Sequence, residues 1–132
     1  MLLDKSARVE NVMLKLNIDN IGEVAIVECE GRIVQSDAAF KLREVVTLQS
    51  DARTVVLDLS QVDAIEGGGL GMLVFLQRWA QDHDIRFKLF NPCRSVRERL
   101  KKVHSMSEFD IPTLDELMAV LVQADRRHAI AA

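Results

Sequence analysis

The sequence predicts a single α/β domain, with a mixed, mostly parallel sheet of four to five strands packed with about four helices. Short apolar segments alternate with segments of helical periodicity, and strands joined through helices are expected to pair in parallel. The chain has 132 residues, of which 48% are apolar, and this is enough for one buried core. We expect one domain over residues 1–132, with flexible ends at 1–10 and 128–132.

Five segments have the composition of strands: residues 12–19, 23–31, 54–60, 85–90 and, as a short edge strand, 109–111. The first alternates apolar and polar side chains, which predicts a half-buried strand, and a turn is expected at 20–22. The second is apolar on both faces. The third is β-branched and almost uniformly apolar, so both fit interior strands of a sheet.

Four segments have helical periodicity: residues 35–50, 70–84, 91–106 and 113–128. Ser36 is a candidate N-cap for the first helix. Asn91 is expected to cap the third, with Pro92 at its first position, where the missing N–H is not needed. Thr113 and Glu116 have the spacing of a capping box. The second helix is apolar over most of its surface, which predicts burial against the sheet or contact with a partner.

Composition excludes several classes of function. The net charge of −3 and the pI of about 5.6 give no basic surface for nucleic acid or anionic lipid. Cys29 and Cys93 form no CxxC pair, and the three histidines are scattered, so we expect reduced cysteines, no metal and no cofactor. No segment resembles a signal peptide or a membrane span, which predicts a cytoplasmic protein that does not insert into membranes. We find no catalytic constellation and expect no enzyme.

Residues 64–72, AIEGGGLGM, contain four of the six glycines. They are expected to follow the third strand after a five-residue link, 61–65, and to open a helix whose N–H groups could hold an anion. No lysine or hydroxyl of a P-loop is present, and Met72 replaces the third glycine of GxGxxG. Glu66 would also repel an anion. A docking loop, a purely structural turn and an anion site all stay open at this point.

The order of these segments resembles the STAS domain, the family of bacterial anti-sigma factor antagonists. The resemblance runs from about Leu14 to Leu121. The stretches that carry it are GRIVQSDAAFKLRE, VVLDLSQVDAI followed by Gly-Leu-Gly, the NP…VRERL helix, and FDIPTLDELMAVL. It implies a non-enzymatic module that docks on an anti-sigma factor that is also a serine kinase. In the family, phosphorylation of a loop that reads Asp-Ser-Ser-Gly-Leu, or similar, blocks this docking.

The chain departs from the family pattern at the residue that would be phosphorylated. Glu66 takes the aspartate position, Gly67 the phosphoacceptor position and Gly68 the second hydroxyl position, whereas Gly69 and Leu70 match. Because glycine has no hydroxyl, the resemblance implies docking without the phosphorylation switch. The expected partner-binding residues are Ser36, Asp63, Glu66, Gly67, Gly68, Gly69, Leu70 and Met72.

Alternatives to this interpretation remain. The domain could bind an anion or nucleotide, or serve as a scaffold subunit of a signalling or transporter assembly. A second copy of the chain could pair through the helix after the loop. Ser36 or Ser60 could replace the missing phosphoacceptor, although each also fits a structural position. Asp58, in an apolar strand, could brace the loop or simply face outward.

Overall fold

The computed structural model describes residues 14–34, 36–102 and 109–131, which form one four-stranded sheet and four helices. The strands are β1 (Leu14–Ile21), β2 (Val24–Ile33), β3 (Thr54–Ile65) and β4 (Arg86–Phe90). The helices are α1 (Ser36–Thr47), α2 (Gly68–Asp82), α3 (Arg94–Lys102) and α4 (Leu114–Ala131). The predicted order of elements is confirmed. Of the ends expected to be flexible, residues 1–10 lie outside the described residues, and the backbone of α4 is helical as far as Ala131.

The sheet has the strand order β1-β2-β3-β4. β1 pairs antiparallel with β2, whereas β3 pairs in parallel with both β2 and β4. The edge strand expected at 109–111 is reduced to one parallel bridge between Lys88 and Asp110, beside a 2.8 Å hydrogen bond from the Leu89 N–H to the Asp110 carbonyl. The predicted class, a mixed and mostly parallel sheet packed with helices, is confirmed.

One face of the sheet carries the main core, which is covered by α1, α2 and α3. Its helical members are buried at helical spacing: Ala38, Leu42, Val46, Leu73, Leu76, Ala80, Val96 and Leu100. β2 contributes Ala25, Val27 and Cys29 to this face, and its other face is also partly covered. The prediction that β2 is an interior strand is therefore confirmed.

The opposite face carries a smaller core beneath α4. Leu117 and Ala124 of this helix are buried against Val24 and Val56, which lie in the first halves of β2 and β3. The capping box at its start is confirmed. The Thr113 N–H donates to Glu116 Oε1 at 2.8 Å, and the Glu116 N–H donates to Thr113 Oγ1 at 3.1 Å.

The five-residue link predicted at 61–65 is wrong, because β3 continues as a strand to Ile65. The register with β2 shifts twice along this stretch, so β3 holds two more residues than the strand opposite. The shifts change the spacing of the core residues from two to three, and Leu59, Val62 and Ile65 all remain buried in the main core. The extension brings the end of β3 beside the end of β2.

Three predicted boundaries move by one to three residues. α1 begins at Ser36, which is its first residue rather than the residue before it. α3 begins at Arg94, because Asn91 has a positive φ of 53° and the first helical bond runs from the Arg97 N–H to the Cys93 carbonyl at 2.8 Å. The first turn contains residues 22–23 and not 20–22, since β1 stays paired through Ile21.

Candidate functional site

The glycine-rich segment lies at the edge where β2 and β3 end. The Glu66 N–H donates a 3.3 Å hydrogen bond to the carbonyl of Ile33, the last residue of β2. α1 begins at Ser36, shortly after Ile33, and α2 begins at Gly68. The starts of two helices therefore meet at one edge of the sheet, and Glu66 and Gly67 connect β3 to the second of them.

Gly67 occupies the N-cap position of α2. Its φ of 52° and ψ of −118° fall in a region that residues with a Cβ rarely adopt. The Gly67 carbonyl accepts the Gly71 N–H at 3.2 Å, and no side chain caps this end of the helix. A Cβ at residue 67 would meet no atom within 4 Å, so the requirement for glycine is conformational and not steric.

Gly69 is required for packing. It is buried, and its N–H donates to the Glu66 carbonyl at 2.9 Å. A Cβ built at this position would lie 2.1 Å from the carbonyl oxygen of Ile33 and 2.9 Å from its Cγ2. Glycine at position 69 therefore lets the first turn of α2 lie directly against the end of β2.

Neither position 68 nor position 71 requires glycine for its backbone conformation or for packing. Both are exposed helical residues, and a Cβ at either position would meet no atom within 4 Å. A glycine inside a helix is less favourable than alanine by about 0.5–1 kcal/mol. The sequence interpretation began this helix at residue 70, after Gly67, Gly68 and Gly69, whereas in the structure Gly68 and Gly69 also lie within it. Glycine at positions 68 and 71 therefore leaves the helix backbone exposed on the outer side of the first turns of α2.

Each of the two helices that begin at this edge carries an exposed aromatic side chain. Phe75 is one helical turn beyond Gly71 and is 42% exposed, and Phe40 on the neighbouring α1 is 58% exposed. The Arg43 guanidinium of α1 stacks over the Phe75 ring, 4.9 Å from its centroid. The wide apolar surface predicted for the second helix is consistent with an exposed Phe75. Phe40 falls outside the apolar stripe of α1, and the sequence alone did not single it out.

The charge of the loop is partly balanced by α3. Glu66 is 55% exposed and its Oε1 lies 3.4 Å from Arg99 Nη2. Asp63 is exposed at the end of β3, near Cys93 at the start of α3. Arg99 is thus one basic side chain of α3 that faces the acidic residue of the loop.

The eight predicted docking residues thus differ in accessibility. Those that are exposed at this edge are Asp63, Glu66, Gly67 and Gly68. Leu70 and Met72 are half-buried and pack on the main core, and Gly69 is buried. Ser36 opens the adjacent helix. The accessible part of the predicted surface is consequently the loop and the outer side of α2.

Asp58 and Ser60 belong to a different part of the molecule. Both lie within β3, so the view of Ser60 as the strand's last residue is wrong. The Asp58 carboxylate accepts hydrogen bonds from the Ser60 N–H at 2.9 Å and from its hydroxyl at 2.6 Å. Asp58 therefore orders its own strand and makes none of these bonds to the glycine loop.

The two cysteines and Trp79 are not among the predicted docking residues. Both cysteines are free thiols. Burial raises the pKa of Cys29, whereas hydrogen bonding with the Ser95 side chain, 3.4 Å away, lowers the pKa of exposed Cys93. Trp79 is half-buried against the core. In the described part of the chain, no group of acidic, cysteine or histidine side chains is arranged to hold a metal. None of the described helices combines the length and the apolar character needed to cross a bilayer.

Comparison with known proteins identifies the architecture. The model of the STAS domain family matches residues 15–117. No curated protein sequence matches the chain. A similar solved structure is the anti-sigma factor antagonist SpoIIAA in its unphosphorylated form, with a TM-score of 0.67 at 14% identity, covering 83% of this chain and 97% of that one.

Two further structures extend the comparison. An anti-sigma factor antagonist from Mycobacterium paratuberculosis matches with a TM-score of 0.69 at 18% identity, covering 82% of this chain and 93% of that one. The murine anion transporter Slc26a9 matches with a TM-score of 0.66 at 13% identity, covering 92% of this chain but 24% of the transporter. At such identities the likeness establishes the fold. Together with the family model, it shows that the chain belongs to the STAS domain family.

Proposed function

We propose that this STAS domain is a non-enzymatic protein-interaction module that docks on an anti-sigma factor of the serine-kinase type and is not switched off by phosphorylation of its loop. The docking surface, here called the loop face, consists of Asp63, Glu66, Gly67, the outer side of α2 at Gly68 and Gly71, and the start of α1. The likeness to anti-sigma factor antagonists supports this class of partner.

The observation that carries the proposal is the pair of open glycines in α2. Gly68 and Gly71 weaken the helix, yet neither makes room for another part of the described chain. A partner that approaches the backbone of α2 closely would explain why glycine is present at both positions. Exposed Phe75, one helical turn beyond Gly71, supplies the apolar contact that such an interface needs at its centre.

The geometry at Gly67 supports the second half of the proposal. Residues 66–70 contain no hydroxyl, so a kinase has no acceptor in the loop. The positive φ of Gly67 also disfavours serine at that position. The loop would therefore never acquire the charge of about −2 that a phosphate brings. Docking would stay constitutive.

Binding is tested by titrating the full chain into a purified anti-sigma factor of the serine-kinase type in a calorimeter. The variant Gly71→Lys adds a long charged side chain to the loop face at a helical position with open space around it. We expect affinity to fall at least tenfold while the circular dichroism spectrum is unchanged. The control Gln123→Lys puts the same side chain on exposed α4, beyond the sheet, and should bind as the unmodified protein does.

The missing switch is tested by incubating the same pair with ATP and mapping phosphate by mass spectrometry. We expect no phosphate on residues 66–70 and unchanged affinity after incubation. Phosphate at Ser36 or Ser60 accompanied by loss of binding would overturn constitutive docking. A thermal shift of several degrees with millimolar nucleotide or phosphate, lost in Gly67→Glu, would favour an anion-binding domain instead.

A further inference from the structure

A pocket lies at the beginnings of three strands, on the face of the sheet that α4 crosses and at the opposite end of β2 and β3 from the loop face. Val24, Thr54 and Arg86 are register partners across β2, β3 and β4, and all three line it. Val120 and Gln123 of α4 line another side. This strand-start pocket has a volume of about 250 Å³. Since sites for drug-sized ligands have about 300–1,000 Å³, it suits a smaller molecule.

The strand-start pocket carries more positive than negative charge. Its cations are Arg53, Arg86 and Lys88, and its one carboxylate is Glu23. Glu23 Oε1 lies 2.9 Å from Arg53 Nε, so this carboxylate is already paired. Asp110 Oδ2 lies 2.7 Å from Lys88 Nζ. The structure gives Arg86 no ion pair with any described residue, so one positive charge stays unbalanced in a chain whose net charge is −3.

Thr54 contributes a hydroxyl group to this pocket. The residue is only 7% exposed, and among the described residues it is the one buried polar side chain. Its hydroxyl makes no hydrogen bond with any residue that the structure describes. Buried hydroxyls are normally hydrogen-bonded, and valine would fill the same space without an unpaired polar group. The fold therefore does not explain threonine at this position, whereas an acceptor bound in the pocket would explain it.

The position of Lys88 also points to a ligand. Charged side chains commonly protect the edge strand of a sheet, and this role would account for exposed Arg86 on β4. It does not account for Lys88, whose side chain is only 14% exposed. An ammonium group has three donors, and Asp110 accepts one of them. The others are available to an acceptor in the pocket.

We propose that the strand-start pocket binds the phosphate group of a small phosphomonoester. The inference is independent of the proposed docking function. Arg86 and Lys88 would donate charge-assisted hydrogen bonds, and the Thr54 hydroxyl would donate a third. A phosphate group presents three strong acceptor oxygens, which matches these three donors, whereas a carboxylate presents two. Glu23 would remain with Arg53, so its charge would not oppose the anion.

The apolar part of the lining favours an ester over a free phosphate ion. Val24, Ala119 and Val120 lie in the same pocket as the donors. Carbon atoms of a small ligand would pack against these three side chains, and a free phosphate ion would leave them uncovered. The site thus combines a few polar groups with an apolar surface, as ligand sites usually do.

Binding is tested by titrating inorganic phosphate and, separately, phenyl phosphate into the isotope-labelled full chain and following the amide chemical shifts by NMR. We expect the signals of residues 53–54 and 86–88 to move, and phenyl phosphate to bind more tightly. Arg86→Gln should weaken binding of phenyl phosphate about tenfold, because a charged donor is lost. Thr54→Val should weaken it about fivefold, while its stability in urea without ligand is unchanged or greater.

The matched control is Arg97→Gln, which removes the same charge from an exposed residue of α3 on the other side of the sheet and should bind as the unmodified protein does. Gly67→Glu should also retain binding, because the glycine loop is not part of this site. Equal losses in Arg97→Gln and Arg86→Gln, or full affinity in Thr54→Val, would overturn the proposal. Unmoved signals at residues 53–54 and 86–88 with millimolar amounts of both probes would overturn it as well. Equal affinity for the two probes would overturn the choice of an ester.

Discussion

Glycine has opposite effects on the inner and outer sides of α2. On the inner side, Gly69 lets the helix lie against Ile33, and Leu73 and Leu76 continue the contact into the main core. On the outer side, Gly68 and Gly71 have open space around them. One glycine therefore contributes to folding, whereas the other two weaken the helix and leave its backbone accessible. The comparison separates close packing from open backbone within the first turns of one helix.

The largest expected effect is on the inner side. Gly69→Ala places a methyl group where the Ile33 carbonyl lies, so α2 must shift away from the sheet. We expect a loss of about 3 kcal/mol in the free energy of unfolding, measured by urea denaturation. Unchanged stability would mean that the close contact between α2 and β2 does not hold the helix.

The connection into the helix is the next most sensitive point. Gly67→Ala forces a residue with a Cβ into a positive φ and should cost about 1–2 kcal/mol in the free energy of unfolding. The matched variant Gly68→Ala keeps ordinary helical dihedrals and should not be destabilised. Equal effects of the two variants would contradict the conformational account of Gly67.

The outer side should respond with the opposite sign. Gly71→Ala removes the helix penalty of glycine without meeting another atom, so the protein should become more stable by about 0.5–1 kcal/mol. Thermal unfolding followed by circular dichroism is the measurement. Affinity for the proposed partner should fall in the same variant, because the methyl group keeps the partner from the helix backbone. Greater stability with unchanged affinity would argue against close approach at this residue.

The smallest expected effect concerns the charge beside the loop. Arg99→Ala removes the 3.4 Å contact with Glu66, in which both groups are about half exposed. Solvent screens such pairs, so we expect less than about 0.5 kcal/mol of destabilisation in urea. Because the remaining Glu66 charge is unbalanced, the rate of association with an acidic or basic partner should become more dependent on salt.

Features set by neighbouring residues could be predicted from the sequence. The capping box at Thr113 and Glu116 depends on residues three apart, and its two hydrogen bonds form as expected. The interior position of β2 follows from apolar side chains on both of its faces. Both patterns depend on neighbouring or regularly spaced residues, so they can be recognised without knowledge of the tertiary contacts.

Features set by contacts between elements could not be predicted. The extension of β3 was missed because its register shifts replace a spacing of two with a spacing of three, which does not look like a strand. The helical positions of Gly68 and Gly69, before the predicted start of the helix at residue 70, contradict glycine's low helix propensity. For Gly69, the close approach of Ile33 supplies a reason. The Arg43–Phe75 stack joins α1 and α2 through two residues that are 32 positions apart in the sequence. The residue pattern of neither helix indicates this contact.

The sequential strand order determines when each face of the sheet is completed. Both parallel crossovers, from β2 to β3 and from β3 to β4, advance across the sheet in the same direction, and connections of one hand then place α1 and α2 on one side. That side can close as the chain is made. The other side waits for α4, so Val24 and Val56 stay uncovered during synthesis until residue 124 has been added. A nascent chain stalled before α4 would present an apolar strip to chaperones and proteases, although three of its four described helices were already in place.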